Sequence, residues 1–151
     1  MSTSKTIFDA AALEAIEVAI RSAEKHTSGE IRVHIDEHCE EDVLDRAAFM
    51  FSELDMHRTD ARNGVLIYIA YQDHKMAILG DVGIHTQVGQ DFWDDSRAKM
   101  IDHFREGNYT EGICIGVAAV GQKLKHYFPY QSDDTNELSN EVTFGGEQRR
   151  Q

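Results

Sequence analysis

Val65-Leu-Ile-Tyr-Ile-Ala-Tyr71 is apolar at every position and rich in β-branched and aromatic residues. It is too short for a helix, and a strand that is apolar on both faces must be covered on both. The run therefore predicts the central strand of a sheet with helices above and below. Gln72-Asp-His-Lys75 is a turn-like gap, and Met76-Ala-Ile-Leu79 follows it, which predicts an antiparallel hairpin. Upstream, Ile31, Val33 and Ile35 alternate with Arg32, His34, Asp36 and His38. That period of two predicts a strand with one apolar face and one wet or specialised face.

Helical patterns occupy the rest of the chain. Asp9 can cap a helix carrying Leu13, Ile16, Ile20 and Ala23 on one side, stopped by Thr27-Ser-Gly29. Glu41 and Asp42 suit the first turn of a second helix with the stripe Val43, Ala47, Met50, Phe51 and Leu54. A third runs from about Asp91 to Gly107, with Trp93, Met100 and Phe104 as core anchors. A fourth runs from about Thr110 through Ile113, Val117, Val120 and Leu124 to just before Pro129. Gly112 and Gly116, one turn apart, predict close packing on a neighbour. The element order predicts an α/β fold, a small mixed β-sheet sandwiched between α-helices, with a right-handed crossover making the first two strands parallel. One domain should span residues 7–142, followed by a polar C-terminal tail at 143–151.

Composition narrows the partners. Lys+Arg number 15 against Asp+Glu 27, a formal net charge of -12 over 151 residues. Such a surface repels nucleic acid and anionic lipid and attracts cations or basic partners. No apolar run is long enough to cross a bilayer and no signal core is present, so the expected setting is cytoplasmic. Cys39 and Cys114 are in no metal-ligand spacing and read as reduced and structural.

The parallel arrangement has a chemical consequence. The starts of the first two strands and the end of the third lie at one edge of the sheet. Thr27-Ser-Gly-Glu30, Thr59-Asp-Ala-Arg-Asn-Gly64 and Gly80-Asp-Val-Gly-Ile-His85 should meet there. Glu30, Asp60, Asn63 and Asp81 are hard oxygen ligands of the kind Ca²⁺ or Mg²⁺ requires, and Gly80 and Gly83 would let backbone approach a ligand. Turn chemistry alone also accounts for these residues. Ser132-Asp-Asp-Thr-Asn-Glu137 is a competing donor-rich segment. His34, Asp36 and His38 could point two imidazoles and a carboxylate at one metal, although a polar row on a strand is more simply a solvated face. The Cys39 to Arg46 loop approaches a cysteine-phosphatase signature, but it holds one residue too many and is acidic where free amides are needed. Phosphate-cradling loops, metalloprotease helices and serine elbows are absent.

Taken together, Thr27-Ser-Gly-Glu-Ile31, Thr59 with Arg62-Asn-Gly-Val-Leu66, Gly80-Asp-Val-Gly-Ile84, Phe92-Trp93, Phe104-Arg-Glu-Gly107, Glu111-Gly112 and Asn136-Glu-Leu138 resemble the TPM-domain family. That family takes its name from a thylakoid-lumen phosphatase, a photosystem repair protein and a worm receptor modulator. The resemblance is greatest to a short bacterial branch without a membrane anchor. It implies a mixed sheet between helices, divalent-cation binding and, in plant members, acid phosphatase activity. Two carboxylates common in relatives are replaced here by Arg62 and Leu79. The expectation is thus a domain binding a divalent cation, calcium before magnesium, with weak or vestigial phosphomonoesterase activity. Arg62 and His85 would support the leaving oxygen of a phosphorylated substrate. The alternative is a non-catalytic accessory module that binds a partner protein or peptide at the same edge.

Overall fold

Gly64–Ala70 is buried at every position, the property that makes it the centre of the sheet. The computed structural model describes residues 7–130 and 137–145. Its elements are α1 (Ala10–Glu24), β1 (Glu30–Asp36), α2 (Val43–Glu53), β2 (Gly64–Ala70), β3 (Lys75–Gly80), α3 (Val82–Val88), α4 (Asp94–Arg105), α5 (Tyr109–Tyr127) and β4 (Thr143–Phe144). The sheet order is β3-β2-β1-β4. β1 and β2 run parallel, with Glu30 opposite Gly64. β2 and β3 form the antiparallel hairpin, with Val65 opposite Gly80. This is the mixed sheet between helices that the pattern predicts.

Alternation along the strands sorts the core into two layers. Ile31, Val33, Ile35, Val65, Ile67, Ile69 and Ile78 point to α1, α4 and α5, meeting Ile16, Ile20, Trp93, Met100, Phe104, Val117 and Val120. Leu66, Tyr68, Ala70 and Ala77 point the other way, to Ala47, Met50 and Phe51 of α2 and to Met56 and Leu138. Each fully buried aliphatic side chain contributes about 1.5–3 kcal/mol of transfer free energy. Trp93, 1% exposed, is the core anchor its position suggested. A Cβ on Gly112 would press on Phe104, and one on Gly116 would overlap Met100, so the paired glycines let α5 close against α4.

Three features differ from the sequence reading. The stretch expected to be a glycine loop after β3 is α3, capped by the Asp81 carboxylate, which accepts from the Val82 N–H at 2.7 Å. The sheet also gains a short parallel strand from Thr143–Phe144, in the segment read as tail. Finally, the polar face of β1 is not wet. His34 is 0% exposed and Asp36 8%, because α2 and β4 cover them. There Asp36 accepts from Tyr68 Oη at 2.6 Å and from Arg46 Nε at 3.1 Å, and His34 bonds Asp36 through Nε2 and Thr143 through Nδ1. Among the described residues, no helix is long and apolar enough to cross a membrane.

Candidate functional site at the sheet edge

The backbone brings the predicted segments together. The Glu30 N–H donates to Asn63 O, Asp81 N–H to Gly64 O at 2.9 Å, and Gly83 N–H to Arg62 O at 2.9 Å. A Cβ on Gly83 would overlap the carbonyl oxygens of Ala61 and Arg62. That glycine therefore serves a close approach between two backbones, where the sequence reading had it serve approach to a ligand. The left-handed residue of the turn is Arg62, with φ 52. Asn63, 2% exposed, is held by its N–H to Thr59 Oγ1 and by its amide Nδ2 to Ser28 Oγ, and so shapes the turn from within.

The candidate side chains fall into two groups. In the first, Arg62 grips Asp81 with Nε to Oδ2 at 2.8 Å and Nη2 to Oδ1 at 3.0 Å, and His57 Nδ1 lies 3.4 Å from Oδ1. Burial pushes the Asp81 carboxyl upward, but the bonds from Arg62 and the Val82 N–H and the nearby positive charge outweigh it and hold it below its usual range. Asp81 is thereby saturated with donors and is not an open ligand. His85 is exposed on α3.

In the second group, the buried Glu30 carboxylate accepts from the Leu138 N–H at 2.6 Å. The Glu137 N–H and carboxyl lie close enough to act on it. Burial first, and then the charge of Glu137, push Glu30 up to about 6 against the bonds from the two N–H groups. Asp60 contributes its backbone N–H to Glu137 at 3.3 Å, and its own side chain is exposed. Behind this pair, Glu24 accepts from the Ile31 N–H at 2.8 Å and is pushed up to about 7, chiefly by burial.

Among the described residues no three His, Cys, Asp or Glu side chains gather to hold a metal ion. The Glu30–Glu137 pair supplies two carboxyl groups, and the remaining ligands of a hard cation would be water or neighbouring oxygens. The competing acidic segment meets the predicted edge at this point, since Glu137 is its last residue. Residues 132–136 lie outside the described residues. Sequence reasoning placed Glu30 correctly at the edge and had Glu137 only as part of a rival location. Their contact spans 107 positions and leaves no local signal.

The His-x-Asp-x-His row does not converge. His34 and Asp36 bond each other inside the fold, while His38 pairs with Asp73 at 2.9 Å on the surface. Nor do Cys39 and Arg46 form a phosphate loop. The Cys39 thiol donates to Glu41 O and Arg46 is committed to Asp36. Both cysteines are free.

Comparison with known proteins agrees with this geometry. The model of the TPM domain matches residues 2–123. The solution structure of the BA42 protein from the psychrophilic bacterium Bizionia argentinensis is 44% identical, with a TM-score of 0.87 over 96% of this chain and 100% of that one. The N-terminal domain of a P. gingivalis protein shares the fold at 21% identity, with a TM-score of 0.64 over 81% of this chain and 79% of that one. No curated protein matches the chain. With four fifths of its length matched by one family model and its site segments in the family's order, this chain belongs to the TPM-domain family.

Proposed function

We propose that this TPM domain binds a divalent cation, calcium before magnesium, at the Glu30–Glu137 carboxyl pair, and that its phosphomonoesterase activity is weak or vestigial. The observation that carries the reading is the approach to the buried Glu30 carboxyl of the Glu137 carboxyl, whose charge helps push Glu30 up. Neither takes part in any of the ion pairs among the described residues. The like charge of Glu137 raises the Glu30 carboxyl, and a divalent ion between the two acids relieves that repulsion. The net charge of -12 adds long-range attraction for the ion. Catalysis is disfavoured by the Arg62–Asp81 pair, which occupies the carboxylate best placed on the other side of the edge.

Two assays on the purified protein test this reading. Calcium should raise the melting temperature in a saturable way, because a ligand of the native state alone stabilises it by mass action. Turnover of a generic phosphomonoester should stay near background with either metal. Silence with both calcium and magnesium would overturn the cation reading, and rapid metal-dependent turnover would overturn the assignment of weak catalysis.

A further inference from the structure

β4 is the last strand of the sheet, and Thr143, half-buried on it, pairs with His34 of β1 in the parallel register. Paired residues of neighbouring strands carry their side chains on one face. Here the two meet, with Thr143 Oγ1 2.7 Å from His34 Nδ1. The other ring nitrogen, Nε2, lies 3.1 Å from Asp36 Oδ1. The imidazole is 0% exposed and stacks on the Tyr68 ring, whose plane is 13° from its own. Hydroxyl, imidazole and carboxylate thus stand in one hydrogen-bonded row.

The proton positions follow from what each group can do. Asp36 already accepts from Tyr68 Oη at 2.6 Å and from Arg46 Nε at 3.1 Å, donors that favour its carboxylate form. A carboxylate only accepts, so Nε2 is the donor in the contact with His34. In the uncharged ring Nδ1 is then an acceptor, and the Thr143 hydroxyl is its donor. The competing acceptor, Val33 O, stands farther away at 3.5 Å. An alcohol bonded to an imidazole whose far nitrogen is fixed by a carboxylate is the arrangement that makes a nucleophile of a hydroxyl. Thr86 has the same side chain without that setting, since its hydroxyl donates to Val82 O at 2.8 Å within α3.

We propose that Thr143 is an acyl-acceptor site for an activated ester, with His34 as its general base and Asp36 as the positioning residue. As Thr143 Oγ bonds to the acyl carbon, its proton passes to His34 Nδ1. The imidazolium, held through Nε2–H by Asp36, gives that proton to the leaving oxygen as the ester C–O bond breaks. The products are an ester on Thr143 and a free alcohol or phenol. No metal takes part, so the proposal is independent of the cation reading.

The test is acetylation of the full chain by p-nitrophenyl acetate in metal-free buffer, with the acetylated hydroxyls located and timed by mass spectrometry. Thr143 should be labelled about a hundredfold faster than Thr86, which serves as the internal standard. His34→Gln should bring Thr143 down to the Thr86 rate, while Thr143→Ser, less hindered, should react at least as fast as the parent. Asp36→Asn, which takes the counter-charge from the imidazolium, should slow the reaction and move its pH–rate profile to lower pH. The comparison of Thr143 with Thr86 within the parent stands even where a variant fails to fold. Labelling of Thr143 no faster than that of Thr86 would overturn the proposal, as would labelling in folded His34→Gln as fast as in the parent.

Discussion

Arg62 and Asp81, nineteen residues apart, close on each other through two hydrogen bonds of 2.8 and 3.0 Å. The pair clips the turn before β2 to the cap of α3. It also takes a carboxylate out of the sheet edge. Arg62→Asp removes the clip and replaces a positive charge by a negative one beside Asp81. The residue sits at φ 52, which Asp tolerates better than most side chains. Without metal, the variant should melt at a lower temperature than the parent because two acids face each other. With calcium it should bind more tightly, and isothermal titration of both proteins checks the two directions.

Glu24 takes stability away as pH rises from about 4.5 to about 7. Its folded value of about 7 lies above the ordinary 4.5. Below the ordinary value both states are protonated and the full contribution is present. As pH rises towards 7 the unfolded chain ionises first, and stability is lost. Glu24→Gln keeps an acceptor for the Ile31 N–H and removes the ionisation. Its melting temperature should exceed the parent's at pH 8 and match it near pH 4.

Asp36 acts in the opposite direction. Burial pushes its carboxyl up, but bonds from His34 and Tyr68 and the charges of His34 and Arg46 prevail and hold it at about 2. Its contribution is present above the ordinary Asp value and is lost as pH falls from about 4 towards 2. Asp36→Asn leaves Arg46 and His34 facing a neutral group and should cost about 3 kcal/mol. Tyr68→Phe, losing only the hydroxyl bond, should cost about 1–2 kcal/mol. Urea unfolding of both variants measures the ranking.

Gly83→Ala links the fold to the site. The added methyl meets the carbonyl oxygens of Ala61 and Arg62, which as backbone cannot swing away. The expected cost is about 2 kcal/mol or more. Amide shift changes should concentrate at residues 60–64 and 81–85. Gly107→Ala should instead be destabilised only by its left-handed backbone, φ 80, since no atom stands within 4 Å of a Cβ there.

The framework was readable because its determinants are local and repeated. Seven consecutive apolar residues can only be a doubly covered strand, and the parallel crossover then dictates which segments share an edge. What escaped the sequence depends on distant partners. The period of two along β1 is the same whether His34 and Asp36 meet water or meet Tyr68, Arg46 and Thr143. The strand Thr143–Phe144 has two residues and exists because β1 offers it an edge. Helix α3 has only seven residues, with a single buried apolar side chain, Ile84, too little periodicity to separate it from a loop. Arg62 was visible as an arginine in place of an acid, while its engagement with Asp81 required the third strand to be in position. The Glu30–Glu137 contact needed the chain to return from α5.

Calorimetric titration of calcium into the full chain and into Glu30→Gln, each at pH 7.5 and at pH 5, tests the central claim most directly. The variant keeps an acceptor for the Leu138 N–H, so the fold is retained while one of the paired charges is removed. The account predicts saturable binding by the parent at pH 7.5 and weaker binding at pH 5, with proton release appearing as pH passes below the Glu30 value of about 6. It predicts a loss of affinity of about tenfold or more in the variant at pH 7.5. Equal affinity in parent and variant, or calcium binding by the parent that is indifferent to pH across this range, would contradict it.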